Sequence, residues 1–257
     1  MITKQLIRQI APNSRDEIID PLVMYLNKHM AKYEVNTYLR ICHFLSQAAH
    51  ESASFRTLEE YASGAAYEGR KDLGNTKAGD GVRYKGRGIF QLTGRANYKR
   101  IGDLIGYDLE NNPQLAATPE ISVLTALEYW KSRNLNGLAD RDQVELITRR
   151  INGGLNGFDD RKKYLDRAKR FIPRDIKVGI TDQITDSVTL NIPVAKRGDK
   201  SNYIIDLQNM LIKKGANIKA DGDYGPATEQ AVKDFQSKNG LPVTGIIDTN
   251  TLNKLMV

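Results

Sequence analysis

Over residues 1 to 172 apolar side chains recur at helical spacing, and glycine-rich turns separate the runs. The first run, MITKQLIRQIAPNSRDEIID, is amphipathic with early charges. Thr118-Pro119-Glu120 marks a helix start: a threonine in capping position, a proline at the first helical position and an acid in the first turn. ISVLTALEYWKSR continues that helix. Asp140 is expected to cap a further helix, RDQVELITRRI, in which Val144, Ile147 and Ile151 share one face and which Asn152-Gly153-Gly154 stops. Asp159 is expected to cap DRKKYLDRAKRF, which Pro173 ends. YKGRGIFQLTGRANY, residues 84 to 98, has another period. After Gly86 and Gly88 it predicts a short extended run, Phe90 and Leu92 facing the core and Ile89, Gln91 and Thr93 the other way.

The pattern changes at Pro173. PRDIKVGITDQITDSVTLNIPV has no helical period and is bounded by prolines, so residues 173–195 read as an extended linker, or alternatively as an edge strand of either neighbour. Residues 196–257 form a further unit with an internal near-repeat. DGDYGPATEQAV and TGIIDTNTLNKL align without a gap, matching Gly222, Thr228 and Val232 with Gly245, Thr251 and Leu255. Each copy reads as a tight turn, a cap and a short helix; Pro226 sits at one helix start and Asp248 can cap the last helix. An earlier helix, NYIIDLQNMLIKKG, carries Ile204, Leu207, Gln208 and Leu211 on one stripe. Asp221 and Asp223 lack the ligand series of a calcium hand, so turn chemistry is the better reading.

Composition narrows the classes. The 257 residues suffice for a medium and a small domain, and no run of about 18 apolar residues predicts a membrane span. The N-terminal stretch has neither an apolar h-region nor a small-residue cleavage site, so synthesis and retention in the cytoplasm are expected. Net charge is +7, with +2 from Lys196 onward, and no Lys/Arg block occurs. That favours an anionic partner and weakens a nucleic-acid reading. One cysteine, Cys42, and three histidines cannot build a Cys/His zinc cluster. His50-Glu51 opens like a zinc-protease motif, but Ser54 stands where the second histidine would be.

AAHESASFRTLEEY, residues 48 to 61, holds three glutamates. Phe44, Ala48, Glu51 and Phe55 stand at i, i+4, i+7 and i+11, so Glu51 interrupts an apolar stripe. A carboxylate there is costly to ionise, as suits a proton donor, or it is paired with an arginine for structure. Glu60 lies nine residues on, which along one helix is roughly 13 Å and half a turn away. Two carboxylates that serve one glycosidic bond with inversion stand about 6.5–9.5 Å apart. For Glu60 to work with Glu51 the helix must end soon after Glu51; Glu59 reads as a surface acid.

AHESASFRTLEEY, YKGRGIFQLTGRANY and RRINGG, in this order and spacing, resemble the family 19 glycoside hydrolases, in the lysozyme-like branch common in bacteriophage endolysins. LQNMLIKKG, DGDYGPATEQAVKDFQ and GLPVTGIIDTNTLNKL resemble the three-helix peptidoglycan-binding domain of wall hydrolases, with Asp221, Gly222, Gly225, Thr228, Phe235 and Gln236 where that family has them. The resemblance implies a mainly α catalytic domain over 1–172, of two-lobed lysozyme-like α+β fold with a small β-hairpin, and a three-helix domain over 196–257. It implies Glu51 as general acid, Glu60 as general base, Thr93 as a holder of the water, Gln91 as a substrate-contacting amide and Asn152 as a sugar or water ligand. Tyr84, Tyr98 and Arg161 are further cleft candidates. Plant chitinases of the family place their second carboxylate much farther from the first; Glu68 and Asp72 lie in that direction without a matching motif, and Ser52-Ala53-Ser54 replaces a common Ser-Gly-Gly. The implied activity is hydrolysis of the β-1,4 bond between N-acetylmuramic acid and N-acetylglucosamine in bacterial peptidoglycan, with inversion, leading to host cell lysis. No metal or cofactor, nucleic acid or stable membrane association is expected. The chain would act as a monomer and depend on a holin-type permeabiliser to leave the host cytoplasm. The alternatives are a chitinase of the same fold, a lytic transglycosylase, and a non-catalytic wall-binding or virion structural protein.

Overall fold

A computed structural model of the chain describes residues 1–178, 193–200 and 202–256. The chain divides into two compact units, Met1–Gln183 and Ile184–Val257.

The first unit is helical. Its described helices are α1 (Lys4–Ile10), α2 (Asp16–His29), α3 (Tyr38–Glu51), α4 (Asp80–Arg83), α5 (Arg95–Ile105), α6 (Pro119–Ser132), α7 (Leu135–Asp140), α8 (Val144–Asn152) and α9 (Phe158–Phe171). The centre is α6, whose apolar residues run all round the helix: Ile121, Val123, Leu124, Ala126, Leu127 and Trp130 are all buried. Around it pack α2, α5 and α7, while α3 lies along α9. Phe44 of α3 meets Trp130 edge-on at 5.4 Å and Phe90 at 5.5 Å. Each such pair is worth about 1 kcal/mol beyond its buried area. Cys42 is a packing residue of α3; burial pushes its thiol up to about 12.

The helix starts differ in detail from the expected caps. Thr118 occupies the capping position of α6, but its hydroxyl turns back to donate to the Leu115 carbonyl at 2.7 Å. Asp140 ends the unforeseen helix α7 and pairs with Arg40, and α8 begins after Gln143. Asp159 lies inside the first turn of α9, which Gly157 precedes. There its charge complements the helix dipole instead of capping it. Gly153, at φ 78°, ends α8 as expected.

The predicted hairpin is reduced to single bridges among the described residues. Arg87 bridges Leu92 and Glu59, and residues 88–91 turn sharply. The alternation read for this run fails, because a turn has no period of two: Ile89 is fully buried, and Phe90, Gln91, Leu92 and Thr93 all face one cavity.

In the second unit, strand β1 (Pro193–Ala195) pairs antiparallel with β2 (Ile247–Asp248), beside α10 (Asn202–Lys213), α11 (Pro226–Lys238) and α12 (Thr249–Met256). The edge-strand alternative therefore holds for residues 193–195. At the other end of the expected linker Ile176 and Val178 are buried. Residues 179–192 lie outside the described residues.

Two buried glutamines explain the near-repeat. Gln208 on α10 donates to the Asp221 carboxylate (2.9 Å), the Asp223 carbonyl (3.0 Å) and the Thr228 hydroxyl (2.9 Å), and accepts from the Gly222 amide at 2.9 Å. Gln236 on α11 donates to Thr244, the Ile246 carbonyl and Thr251, and accepts from the Thr244 and Gly245 amides. Gly222 and Gly245, at φ 79° and 71°, take the left-handed turn each clamp needs. Asp248 accepts from the Thr251 amide at 2.7 Å and caps α12. Deleting one clamp strands several buried polar groups, each costing about 1–3 kcal/mol. Gln208→Ala should therefore lower the stability of this small unit by about 2–3 kcal/mol, seen as an earlier urea transition of its signal.

Candidate active site

Helix α3 ends at Glu51, as the two-carboxylate reading requires. Ser52 caps it: its hydroxyl donates to the Ala48 carbonyl at 2.6 Å and accepts from the Phe55 amide at 3.0 Å. Ala53, Ser54 and Phe55 then all adopt left-handed backbone, at φ 50°, 69° and 54°. Side chains disfavour that region by roughly 1–2 kcal/mol per residue, and a common Ser-Gly-Gly would avoid most of the cost. The turn is held by the buried Phe55 and by the Ser54 hydroxyl, 2.6 Å from that of Tyr164 on α9.

The chain now runs back past the glycine-rich turn. The Glu60 amide donates to the Gly86 carbonyl (2.9 Å), the Gly88 amide to the Leu58 carbonyl (2.8 Å), and Arg87 and Leu92 exchange both backbone bonds. One Glu60 carboxylate oxygen accepts from the Gly86 amide at 3.0 Å and the other from the Tyr67 hydroxyl at 2.9 Å. Burial, and then the hydrogen bond to Glu60, hold the Tyr67 phenol above its ordinary value, so it stays a donor. Gly86 leaves room for both side chains: a Cβ there would lie 2.7 Å from Gln91 Oε1 and 3.1 Å from Glu60 Oε2, so a larger residue would push them aside.

Glu51, Gln91, Thr93 and Asn152 line one cavity of about 260 Å³. Glu60 is outside its wall, separated from Gln91 by Gly86. Gln91, at φ 48°, donates to the Gly88 carbonyl, and Thr93 donates to the Gln91 carbonyl at 2.8 Å. Arg161 does not reach the cavity. It is 2% exposed and lies behind Glu51, donating to Glu51 Oε1 at 2.6 Å, to Gln47 Oε1 at 2.5 Å and to the Asn156 carbonyl at 3.4 Å. That same carbonyl accepts from Asn152 Nδ2 at 2.8 Å. One carbonyl thus couples the arginine that holds the acid to the asparagine across the cavity.

Other expected site residues fall elsewhere. Tyr84 and Tyr98 are buried, because their rings pack together at 5.4 Å beneath the glycine-rich turn. Tyr84 donates to the Glu110 carbonyl and Tyr98 to the Lys85 carbonyl, so both support the loop instead of facing a ligand. Glu59 is more than a surface acid: it pairs with the buried Arg87 at 3.1 Å and with Lys85 at 3.3 Å. Glu68 accepts from the Gly79 and Gly81 amides, and Asp72 pairs with Arg70, which holds its carboxyl low. His50 pairs with Asp160 at 2.7 Å. The sequence reading missed Asn97, Arg100, Thr125, Tyr129 and Arg133 on the cavity wall. Asn97 alone left a trace, one helical turn after Thr93.

Residues 33–145 match the family model for class I chitinases of glycoside hydrolase family 19, and residues 200–255 match a peptidoglycan binding domain. The chain carries a family 19 glycoside hydrolase domain and a peptidoglycan-binding domain. A family 19 domain-containing protein of Haemophilus influenzae is 43% identical over 104 residues, covering 40% of this chain and 50% of that protein. Acidic endochitinase Q of Nicotiana tabacum is 34% identical over 106 residues, 40% of this chain and 39% of that one. The chain thus spans half or less of the length of these curated relatives. In fold, the hydrolase domain is similar to chitinase C of Streptomyces griseus, with TM-score 0.54, 22% identity, and coverage of 66% of this chain and 76% of that one. It is similar also to a class IV chitinase of Zea mays, with TM-score 0.52, 20% identity, 67% and 96% covered. The helical architecture is that lysozyme-like family 19 fold.

The strained turn after the acid is open to test. Ala53 is exposed, so Ala53→Gly removes strain without leaving a cavity. Against glycine's extra unfolded-state entropy it should still raise stability by up to about 1 kcal/mol, measured as a higher thermal midpoint.

Proposed function

We propose that the chain is an endolysin-type wall hydrolase that cleaves the β-1,4 bond between N-acetylmuramic acid and N-acetylglucosamine with inversion. The observation that carries the acid–base reading is the fold-back after α3: Glu51 lines the cavity, and Glu60 stands across Gly86 from Gln91 of the same wall. Arg161 occupies Glu51 Oε1, while Oε2 makes no hydrogen bond among the described residues and is free to carry the proton. Glu51 protonates the departing glycosidic oxygen. Glu60, oriented by Tyr67 and the Gly86 amide, takes a proton from a water that Thr93 helps to hold, and that water attacks the anomeric carbon from the opposite face. Gln91 and Asn152 present amides to the sugars. Reaching the wall from the cytoplasm falls to a separate permeabiliser of the holin type, and the chain works as a monomer, ending in host cell lysis.

Two arginines favour peptidoglycan over chitin. Arg100 and Arg133 line the cavity, and Arg100 makes no ion pair or hydrogen bond among the described residues. Arg133 is fixed over the Tyr129 ring at 4.4 Å and donates to the Arg150 carbonyl. The cavity's one carboxylate, Glu51, is already matched by Arg161. Chitin is neutral and offers these cations nothing, whereas peptidoglycan carries carboxylates beside its muramic acid. The named chitinases among the relatives favour chitin as a second reading.

Purified peptidoglycan should yield fragments with a reducing-end muramic acid by mass spectrometry; a 1,6-anhydro end would show a transglycosylase instead. Glu51→Gln and Glu60→Gln should each lower the rate about 10²–10⁴-fold, and full lysis by Glu51→Gln would refute the acid assignment. Arg100→Gln should lower kcat/KM several-fold on peptidoglycan and leave turnover of chitin oligosaccharides unchanged, at the scale of one exposed ion pair.

A further inference from the structure

The second unit holds a groove of about 460 Å³ that no step of the proposed hydrolysis uses. Its floor is apolar: Leu211 of α10 and Ala231 and Phe235 of α11 are buried beneath it. Its rim carries three exposed lysines, Lys214, Lys238 and Lys254. None of the three makes an ion pair or hydrogen bond among the described residues; Lys213 and Lys219 share that state, whereas Lys200 pairs with Asp223 and Lys233 with Glu229, so what sets the three apart is that they meet round one concavity. The only acid on the groove is Asp234, which accepts from the Gln230 amide at 2.9 Å. Each rim lysine sits in the last turn of a helix or just past it, where its charge complements that helix's dipole. The dipoles alone do not require three such ends to meet round one concavity.

We propose that this groove is the wall-binding site and that it takes the peptide stems of peptidoglycan, through their free carboxylates, rather than the glycan. The inference rests on the reading that this unit holds the chain on the wall. A stem is a short peptide of small alkyl side chains with carboxylates along and at the end of it. Its alkyl groups suit the Leu211, Ala231 and Phe235 floor, and its charges match three lysines that lack partners. An uncharged sugar face would leave all three lysines unmatched. The lysines are exposed, so each contact is weak and its effects multiply only modestly.

The test is co-sedimentation of the full-length chain with purified sacculi, every protein carrying Glu51→Gln to suppress digestion. The combined Lys214→Ala, Lys238→Ala, Lys254→Ala variant should bind about tenfold more weakly. The corresponding triple Lys→Arg variant should stay within about threefold of the parent, because the charge remains. Sacculi whose carboxylates are converted to neutral methylamides, and glycan freed of its stems by an amidase, should both lose the parent protein. Undiminished binding by the triple alanine variant, by methylamidated sacculi or by stem-free glycan would overturn the proposal, as would equal loss in the alanine and arginine variants. No binding of the parent to any sacculi would overturn the wall-binding reading itself. Failure of the hydrolytic reading shows instead as absent turnover by the chain with Glu51 intact, and leaves the binding results standing.

Discussion

Everything at the candidate active site depends on where one guanidinium is allowed to sit. Arg161 is almost wholly withdrawn from water between α3 and α9. A charge so placed costs several kcal/mol unless partners surround it. Its partners are the Glu51 carboxylate, the Gln47 side-chain carbonyl and the Asn156 backbone carbonyl, one on each guanidinium nitrogen. The register of α9 against α3 is thereby tied to the position of the acid, because a shift of one turn would strand the charge. The Asn156 carbonyl extends the tie to Asn152 and so to the end of α8, whose Ile151 and Asn152 line the cavity. Of the two alternatives open for Glu51, the structure displays the structural one, the arginine partner on Oε1; the proposed proton transfer would fall to Oε2, against the preference of a neighbouring guanidinium for the ionised carboxylate.

A second constraint is topological. Glu51 and Glu60 are close in sequence but would diverge on a continuous helix, and the molecule resolves this with backbone that side chains disfavour. The left-handed run at Ala53, Ser54 and Phe55 turns the chain, and four backbone bonds then lace residues 58–60 to 86–88 and 87 to 92. The ladder is too short to be a strand, yet it fixes the two glutamates' surroundings from separate supports. Glu51 hangs from α3 and α9, whereas Glu60 hangs from the glycine-rich turn, itself pinned to the core by Ile89 and by the Phe90 contacts with Phe44, Trp130 and Tyr129. Rigid placement from independent elements is what catalysis by positioned acid and base demands.

Much of this was legible in the residues, and what was not has identifiable causes. Long periodic runs such as ISVLTALEYWKSR declared their helices because burial of a whole surface leaves a whole-window signature. The site motifs were legible through Glu51 and through Gln91 and Thr93 of the glycine-rich stretch. Tyr84 and Tyr98 were misplaced because a buried tyrosine with its hydroxyl on a carbonyl reads, in sequence, like one that greets a sugar. The caps at Asp140 and Asp159 failed because an acid near a helix start serves equally well in the first turn or at the end of the preceding helix. Arg100, Arg133 and Tyr129 were invisible because they come from separate helices and meet only when α5 and α6 pack. The glutamine clamps lay between these extremes: the repeat of Gly222 and Thr228 in Gly245 and Thr251 was plain, but Gln208 precedes its turn by 14 residues and Gln236 by nine. No fixed spacing linked cause to effect.

The placement of positive charge brings the two units into one scheme. Of the cations with no counter-charge among the described residues, Arg100 stands in the cavity beside Glu51 and three lysines ring the groove of the second unit. Exposed ion pairs are individually weak, worth about 0–1 kcal/mol each. On the proposed wall-hydrolase reading such weakness is an advantage, because a module that held a continuous polymer tightly would confine the hydrolase domain to a few bonds. On that reading several weak contacts would hold the chain near the surface, raise the local concentration of cleavable bonds and still release as the mesh is cut. Selectivity for an anionic wall and freedom to move along it would then both follow, on the proposed reading, from exposed lysine and arginine in place of buried, tightly paired charge.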